Sequence, residues 1–534
     1  MKRLIEYSAA HYIAVLAFIL AVTAVTAFFL PRLYIDVTPE GLMAADTPER
    51  AYFASIQEEY GDDNITLVVI RDDNIQDPDN LKKVARLVNQ LYSLEFVRKV
   101  ESLYSARYIK VEKDSVISRP FLDPLPKTRE ESAAIFQQAI NNPLVSRNLV
   151  STDGRTLALN IYLDELSLAD NRDAYITKSI EDVLHYHEAD FDNVYQFGLP
   201  YVRSVLEKEI LDEQISLIPQ AFLVLIIVLL IILRNLNAGI LPVVTSLVSI
   251  VWLLGVMAML DIPLTLITAI VPILLIIIGS TEDVHLISEY LLAKKAGMDR
   301  SAAVKTMAYR KGFASLMTFV TSWFGFASVA LNPLEVLREF SIVAASGLLF
   351  NYVITMMLVP AWLCIFGSRK SRSLETGRAL MLFTPMLNFV CHIVHHRKTV
   401  TLVILSAITV VFIFGASQIK LNNNVMSYFE DDSPINVRFH DVAHELAGVE
   451  TFMIVLDAGI EDTFLHVKYL EQLQSLSRYI ESIEDIEKAS SFADYIAIMN
   501  SAVNDTGVIE LPGDDYVLGE LSIFIDMDDV GAYI

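Results

Sequence analysis

The chain of 534 residues holds two cysteines, Cys364 and Cys391, both in or beside apolar segments, which excludes a disulfide framework. Basic residues are in deficit: 41 Lys and Arg stand against 65 Asp and Glu, a net charge of −24. That balance excludes a nucleic-acid partner, because phosphate binding needs a basic face. Glycine-rich phosphate loops, nucleophile motifs and hydrolytic constellations are missing as well. The residues therefore imply neither an enzyme nor a cofactor.

Apolar sequence is what the chain has in excess. It is 53% hydrophobic, against about 45–50% for soluble proteins, and the excess lies in long blocks. This is the composition of an integral membrane protein. The N-terminus has the basic start of a signal peptide. Its apolar run from Tyr12 to Leu30 is nonetheless longer than a signal core, and no cleavage site stands out. It reads as an uncleaved first membrane helix. Six further runs occupy 215–234, 239–260, 264–290, 312–332, 340–366 and 399–416, each meeting the ~20-residue criterion.

Lys and Arg in the short connections set the orientation. Lys2, Arg3, Arg234, Lys294, Lys295, Arg300, Lys305, Arg310 and Lys311 fall on one side if every run spans once. Arg369, Lys370, Arg372, Arg378, Arg397 and Lys398 join them there. That side is the cytoplasm, and two large acidic stretches lie outside. The expected organisation is 1–33 for the N-terminal end and first span, 34–211 for a first external domain, and 212–367 for spans two to six. Residues 368–398 then form a cytoplasmic amphipathic linker, 399–416 the seventh span, and 417–534 a second, incomplete external domain.

In the first external stretch, 64–71, 97–103, 156–165 and 193–200 read as strands, and the segments from 78 and from 172 as helices. An irregular, Pro-containing insertion separates the two halves. Two βαβ units in succession predict a split-βαβ, ferredoxin-like α+β domain. A helix then continues from Tyr201 straight into the second span. The second stretch repeats the first: 33–53 aligns without a gap on 419–439, with Asp46-Thr47-Pro48 over Asp432-Ser433-Pro434 and Phe53 over Phe439. At the same offset, 64–70 lies over 450–456. An offset of about 386 residues is too long for a solenoid and is the pattern of two-fold repeat transporters. On this reading the second repeat stops short, and the chain is a fragment of a longer protein.

Polar residues inside the spans carry the chemistry. "IIIGSTEDVHLISEY" (276–290) opens as one of the most apolar runs in the chain, then delivers Glu282, Asp283, His285 and Glu289. On a helix Glu282, His285 and Glu289 share one face, Asp283 lies about 100° round, and Thr281 precedes His285 by one turn. A charge near mid-bilayer costs roughly 2.5–3.5 kcal/mol on insertion scales, so these acids must face protein or water, or carry protons. The pattern predicts a proton relay; the bland alternative places the acids at the cytoplasmic mouth of the helix. On the fifth span Thr318, Thr321 and Ser322 share a side and offer hydroxyl partners, or simply small residues for close packing. Cys391, His392, His395 and His396 have helical spacing, but without a C-x-x-C they read as interfacial histidines rather than a zinc site.

Residues 261–290 and 315–363 together resemble spans four to six of the resistance–nodulation–division (RND) superfamily, most of all its MMPL-type branch, which includes hopanoid and lipid exporters. Thr321, Ser322, Gly325 and Phe326, and the run Leu337–Phe340, carry the likeness. The resemblance implies a multi-pass α-helical membrane protein of twelve helices, with periplasmic porter-like domains and a bundle like that of sterol-sensing proteins. It also implies a bacterial inner-membrane location and proton-driven export of hydrophobic or lipid substrates, with membrane lipids as neighbours and a homodimer or homotrimer open. Laid on the branch pattern G-x-D-Y-x-x-H, Gly279 and His285 match, but Thr281 takes the Asp position and Glu282 the Tyr position. Laid on the multidrug pattern of paired acids followed by Glu, residues Glu282, Asp283 and Glu289 match in type. The expectation is a proton-driven exporter. The alternatives are a non-transporting lipid sensor or assembly factor on the same bundle, and a protein-export accessory.

Overall fold

The computed structural model describes residues 2–37, 47–60, 65–112, 115–164, 172–233, 236–367, 378–419, 425–448, 452–460, 462–483, 486–504 and 508–523. Asp46, Arg234, Arg369, Lys370 and Arg372, and the start of the second aligned segment at Glu450, lie outside the described residues. In chain order the first elements are helices α1 (Lys2–Ala10), α2 (Tyr12–Phe29) and α3 (Pro48–Tyr60). Next come β1 (Ile65–Arg71), α4 (Pro78–Tyr92), β2 (Val97–Glu101), β3 (Arg107–Glu112), β4 (Ser115–Pro120) and α5 (Arg129–Ile140). They are followed by β5 (Thr156–Leu163), α6 (Arg172–His185), β6 (Asn193–Gly198), α7 (Leu199–Leu233), α8 (Leu236–Met259) and α9 (Val271–Lys295). The remainder is helical: α10 (Arg300–Ser328), α11 (Glu335–Phe366), α12 (Arg378–His396), α13 (Lys398–Ala416), α14 (Pro434–Glu445), α15 (Val467–Glu481), α16 (Phe492–Asn504) and α17 (Asp515–Ser522).

The chain divides into two compact units, Met1–Arg50 with Leu206–Asn423, and Ala51–Val205 with Asn424–Ile534. The first is the membrane unit. Seven helical stretches among the described residues are long and apolar enough to cross a bilayer: Tyr12–Arg32, Leu199–Ile231, Ala238–Met259, Thr268–Lys295, Arg300–Leu331, Glu335–Phe366 and Lys398–Ala416. They match the seven runs read from the sequence, and α7 runs unbroken from Leu199 as expected. α10 begins at Arg300 and α11 at Glu335, well before their apolar runs. Hydropathy marks only the stretch that must match lipid, whereas backbone hydrogen bonding carries a helix on into polar sequence.

Helices α8, α9 and α11 pack on one another, α2 lies against α8 and α11, and α1 crosses α10 and α11. Leu241, Leu286, Ile287, Tyr290, Ile354, Met356 and Val359 fill the centre, with exposures of 0%. Pro272 sits in the first turn of α9, where its missing N–H is harmless. Arg300 Nη1 donates to the carbonyls of Cys364 at 3.1 Å and Ile365 at 3.2 Å, closing the end of α11.

The second unit contains a four-stranded antiparallel sheet in the order β2-β5-β1-β6. With α4 between β1 and β2, and α6 between β5 and β6, this is the split-βαβ arrangement the sequence predicted. Val68, Ile70, Leu157, Leu159 and Ile161 of the sheet meet Leu81, Val84 and Leu87 of α4 and Ile176 and Ile180 of α6. The insertion after β2 is more ordered than expected. It holds the β3–β4 hairpin and α5, whose N-cap Thr128 accepts from the Glu131 amide at 3.2 Å. The Glu131 carboxylate accepts in return from the Lys127 amide at 2.8 Å. A Thr-x-x-Glu start signal thus lay unread in the sequence.

The polar stretch after α13 contributes α14 to α17, with Leu470, Phe492, Ile496, Met499 and Leu518 as a small core. α3 and α14 start alike: Thr47 Oγ1 accepts from the Arg50 amide at 3.3 Å, and Ser433 Oγ from the Asn436 amide at 3.4 Å. Phe452–Ala458, aligned on β1, enters no ladder among the described residues.

Candidate functional site

α9 presents a buried stripe through Gly279, Asp283, Leu286, Tyr290 and Ala293 to α8 and α11. These positions follow the spacing of a helix seam, so α9 is a core helix that also carries acids. Asp283 is 0% exposed and lies on the centre of the stripe. Thr355 of α11 donates to its Oδ1 at 2.8 Å, and Thr245 of α8 hydrogen-bonds its Oδ2. Glu282, at the margin, accepts from Ser315 of α10 at 3.4 Å. Neither acid forms an ion pair among the described residues. Carboxyls held only by neutral hydroxyls, with helix walls around them, are the central feature of the unit.

The polar ladder continues one turn towards the N-terminus of α9. Ser249 of α8 is 3.0 Å from Asn351 Oδ1 of α11. The Asn351 amide rests on Gly279: a Cβ there would stand 2.4 Å from Asn351 Nδ2, so any larger residue would have to displace the Asn351 side chain. Beside it, Tyr352 stacks on Phe319 at 4.2 Å and keeps its buried hydroxyl without a hydrogen-bond partner. Thr245 and Ser249, and Asn351 and Thr355, are spaced i, i+4 in otherwise apolar runs. That spacing was the available signal for these four residues.

The expected face of Glu282, His285 and Glu289 divides. At about 100° per residue, Thr281 and His285 stand on the side opposite Asp283, and both are exposed. Thr281 bonds the Ile277 carbonyl of its own helix at 3.0 Å. Glu289 is buried but paired with Arg310 at 2.9 Å, an ion pair rather than a link to Asp283. The hydroxyls expected from α10 also point elsewhere. Thr318 donates to the Ala314 carbonyl at 3.2 Å, Thr321 to the Met317 carbonyl at 2.9 Å, and both are exposed. Ser322 is half-buried, and the hydroxyl of α10 that reaches an acid belongs to Ser315. The face of α10 turned to α9 lies one turn further towards its N-terminus than Thr318 and Thr321.

Among the described residues no group of three or more His, Cys, Asp or Glu is placed to hold a metal ion. His392 and His396 stack at 4.3 Å on exposed α12. In the second unit, a cleft of about 600 Å³ is lined by Glu188, Asp192, Asp432, Asp441 and Arg438 together with the apolar Val194, Pro434 and Val437.

A multi-pass bundle with acids buried on its fourth span invites comparison with known membrane proteins. The pattern of the MMPL family matches residues 45–390. The chain belongs to the MMPL family. A curated relative from Methanocaldococcus jannaschii, whose name assigns it to a membrane by inference alone, is 23% identical over 385 residues, covering 68% of this chain and 93% of the relative. MMPL membership makes this a membrane protein of a transporter-like family within the RND superfamily. It places the ladder of α8, α9 and α11 inside the part of this MMPL protein that the family shares.

Proposed function

We propose that this MMPL protein is an exporter of hydrophobic or lipid-like substrates, driven by protons that load and leave Asp283, with Glu282 as the neighbouring carrier. It works in the cytoplasmic membrane with its large domains on the outer side. The observation that carries this reading is a carboxyl with 0% exposure whose hydroxyl partners come from two other helices.

The hydrogen count allows both protonation states. When Asp283 is charged, Thr245 and Thr355 each donate to it. When it is protonated, its own O–H turns to the Thr245 oxygen, and the Thr245 hydrogen turns to a backbone acceptor. Two are within reach, the Pro242 carbonyl at 2.9 Å and the Leu241 carbonyl at 3.2 Å. Rotation of one hydroxyl therefore accommodates the gain or loss of the Asp283 proton, with no buried donor or acceptor stranded. The charged state holds α8 and α11 on α9 through two charge-assisted hydrogen bonds; in the neutral state both bonds weaken to neutral ones, and the grip on α8 and α11 loosens. A proton crossing 100 mV supplies about 2.3 kcal/mol from the potential alone, enough to bias a two-state helix packing.

The test reconstitutes the chain in proteoliposomes with an imposed pH gradient and follows an NBD-labelled phospholipid between leaflets by dithionite quenching. Gradient-dependent movement that disappears in Asp283→Asn and falls in Glu282→Gln supports the reading. Movement that persists in the double variant overturns it. Lipid binding without any movement in the parent overturns it in favour of a lipid sensor.

A further inference from the structure

α12 is a helix with two unlike faces. At about 100° per residue, Thr384, Asn388, His392, His395 and His396 fall in one arc roughly 120° wide. Met386, Leu387, Phe389, Val390 and Val394 lie in the remainder, with side-chain exposures between 48% and 65%. Such a contiguous apolar face calls for a cover. Two observations identify it. Arg397 alone separates α12 from α13, which starts at Lys398 and is one of the membrane-crossing helices. The end of α12 is thereby tied to the level of the lipid headgroups. And although the chain carries 65 acids, no Asp or Glu occurs between Thr376 and Phe429.

The polar arc ends in a knot of imidazoles. His392 and His396 stack at 4.3 Å, His395 meets His396 edge-on at 5.3 Å, and His396 Nδ1 lies 3.2 Å from the His392 carbonyl. Among the described residues α13 packs against α12, and the charged groups around this knot are Arg397 at the joint and Lys398 on α13. No carboxylate on either helix would neutralise an imidazolium. Protonated together, the three rings repel one another and the two fixed cations, unless anionic phosphates gather around them. Histidine is the side chain that gains charge between pH 8 and 5.

We propose that α12 is an acid-triggered docking helix for anionic phospholipid. Its apolar face enters the interface, and protonation of His392, His395 and His396 strengthens its hold on phosphate headgroups. Each cation added near an anionic surface strengthens binding roughly fivefold. The proposal stands apart from the transport reading; only the statement that it senses cytoplasmic pH depends on the orientation given there.

The experiment places the full chain in nanodiscs of phosphatidylglycerol or phosphatidylcholine, in a Cys364→Ser, Cys391→Ser background. A bimane label at Met386→Cys is quenched by nitroxide-bearing lipid. Quenching in phosphatidylglycerol should rise about twofold or more between about pH 7.5 and pH 5.5, and change little in phosphatidylcholine. His392→Gln, His395→Gln and His396→Gln together should remove the response, and the three Lys replacements should hold the label embedded at both values. Equal quenching in both lipids at both pH values overturns the proposal. So does a pH response that survives the Gln variant, or a label shielded by a second copy of the chain rather than by lipid. The readout needs no transport, so its failure leaves the Asp283 reading untouched.

Discussion

The two units treat their acids in opposite ways. In the second unit Glu445 meets Arg71 at 2.9 Å and Thr156 at 3.0 Å, Glu487 meets Arg147 at 2.7 Å, and Asp173 meets Arg203 at 2.7 Å. Each of these three acids has a cation, and the pairs join segments distant in sequence. At the centre of the membrane unit, Asp283 and Glu282 have hydroxyls alone. A carboxylate beside a guanidinium is held charged and acts as a tie; one beside neutral hydroxyls is free to change charge. α9 contains both kinds within two turns, since Glu289 is tied to Arg310. Counting acids in a membrane helix is therefore a weaker guide than asking what faces them.

The contrast breaks most visibly at Asp283. Asp283→Asn keeps the shape and removes the charge change, so gradient-driven lipid movement should fall about 100-fold or more while thermal unfolding shifts little. Glu445→Gln should do the reverse. It should leave the membrane unit intact and weaken the second unit by roughly 1–3 kcal/mol, seen as faster hydrogen exchange at 144–150 and 436–446. If Asp283→Asn unfolds the protein and Glu445→Gln is silent, the assignment of switch and tie is wrong.

A smaller effect sharpens the picture of the second unit. Burial lowers the Lys488 amine to about 8, although Asp494 and Glu481 oppose that shift and Arg147 adds to it; its Nζ donates to the Ser146 carbonyl at 2.7 Å. The folded unit thus sheds this proton before the unfolded chain does. Between about pH 8 and 10.5 the unfolded state binds more protons, so the Lys488 contribution to stability rises with pH across that window. Lys488→Met should flatten this part of the profile, as followed by hydrogen exchange at 142–150. The smallest change belongs to Thr318→Val and Thr321→Val, whose hydroxyls bond their own helix. Their effect on lipid movement should stay under about twofold, and that on stability within about 0.5 kcal/mol.

Much of the fold was legible in the chain. Seven apolar runs became seven helices, because a bilayer-spanning segment must satisfy its backbone internally and present apolar side chains along its length. Strand alternation and helix stripes in the polar stretch after the first span were enough for the split-βαβ order, since period two and period 3.6 leave different patterns. The β3–β4 hairpin escaped because its residues alternate around charges and follow no strong turn signal. Of the site, Glu282 and Asp283 were legible as acids where lipid forbids them. Rotation of α9 was not: the pattern grouped Glu282, His285 and Glu289 on one face with Asp283 about 100° round, and the neighbours of α9 instead bury Asp283 and leave His285 exposed.

Alone, the sequence determined that this protein crosses a membrane repeatedly, carries an α+β domain, and places carboxyls on its fourth span. Local periodicity and the hydrophobic requirement of lipid encode these within a few dozen residues. Which carboxyl meets a cation and which only hydroxyls, and that Thr245, Thr355 and Ser315 rather than Thr318 or Thr321 hold Asp283 and Glu282, was decided only by tertiary packing. Helix rotation depends on how Gly279 seats Asn351 and on side chains far apart in the chain. No single helix carries that information in its own pattern.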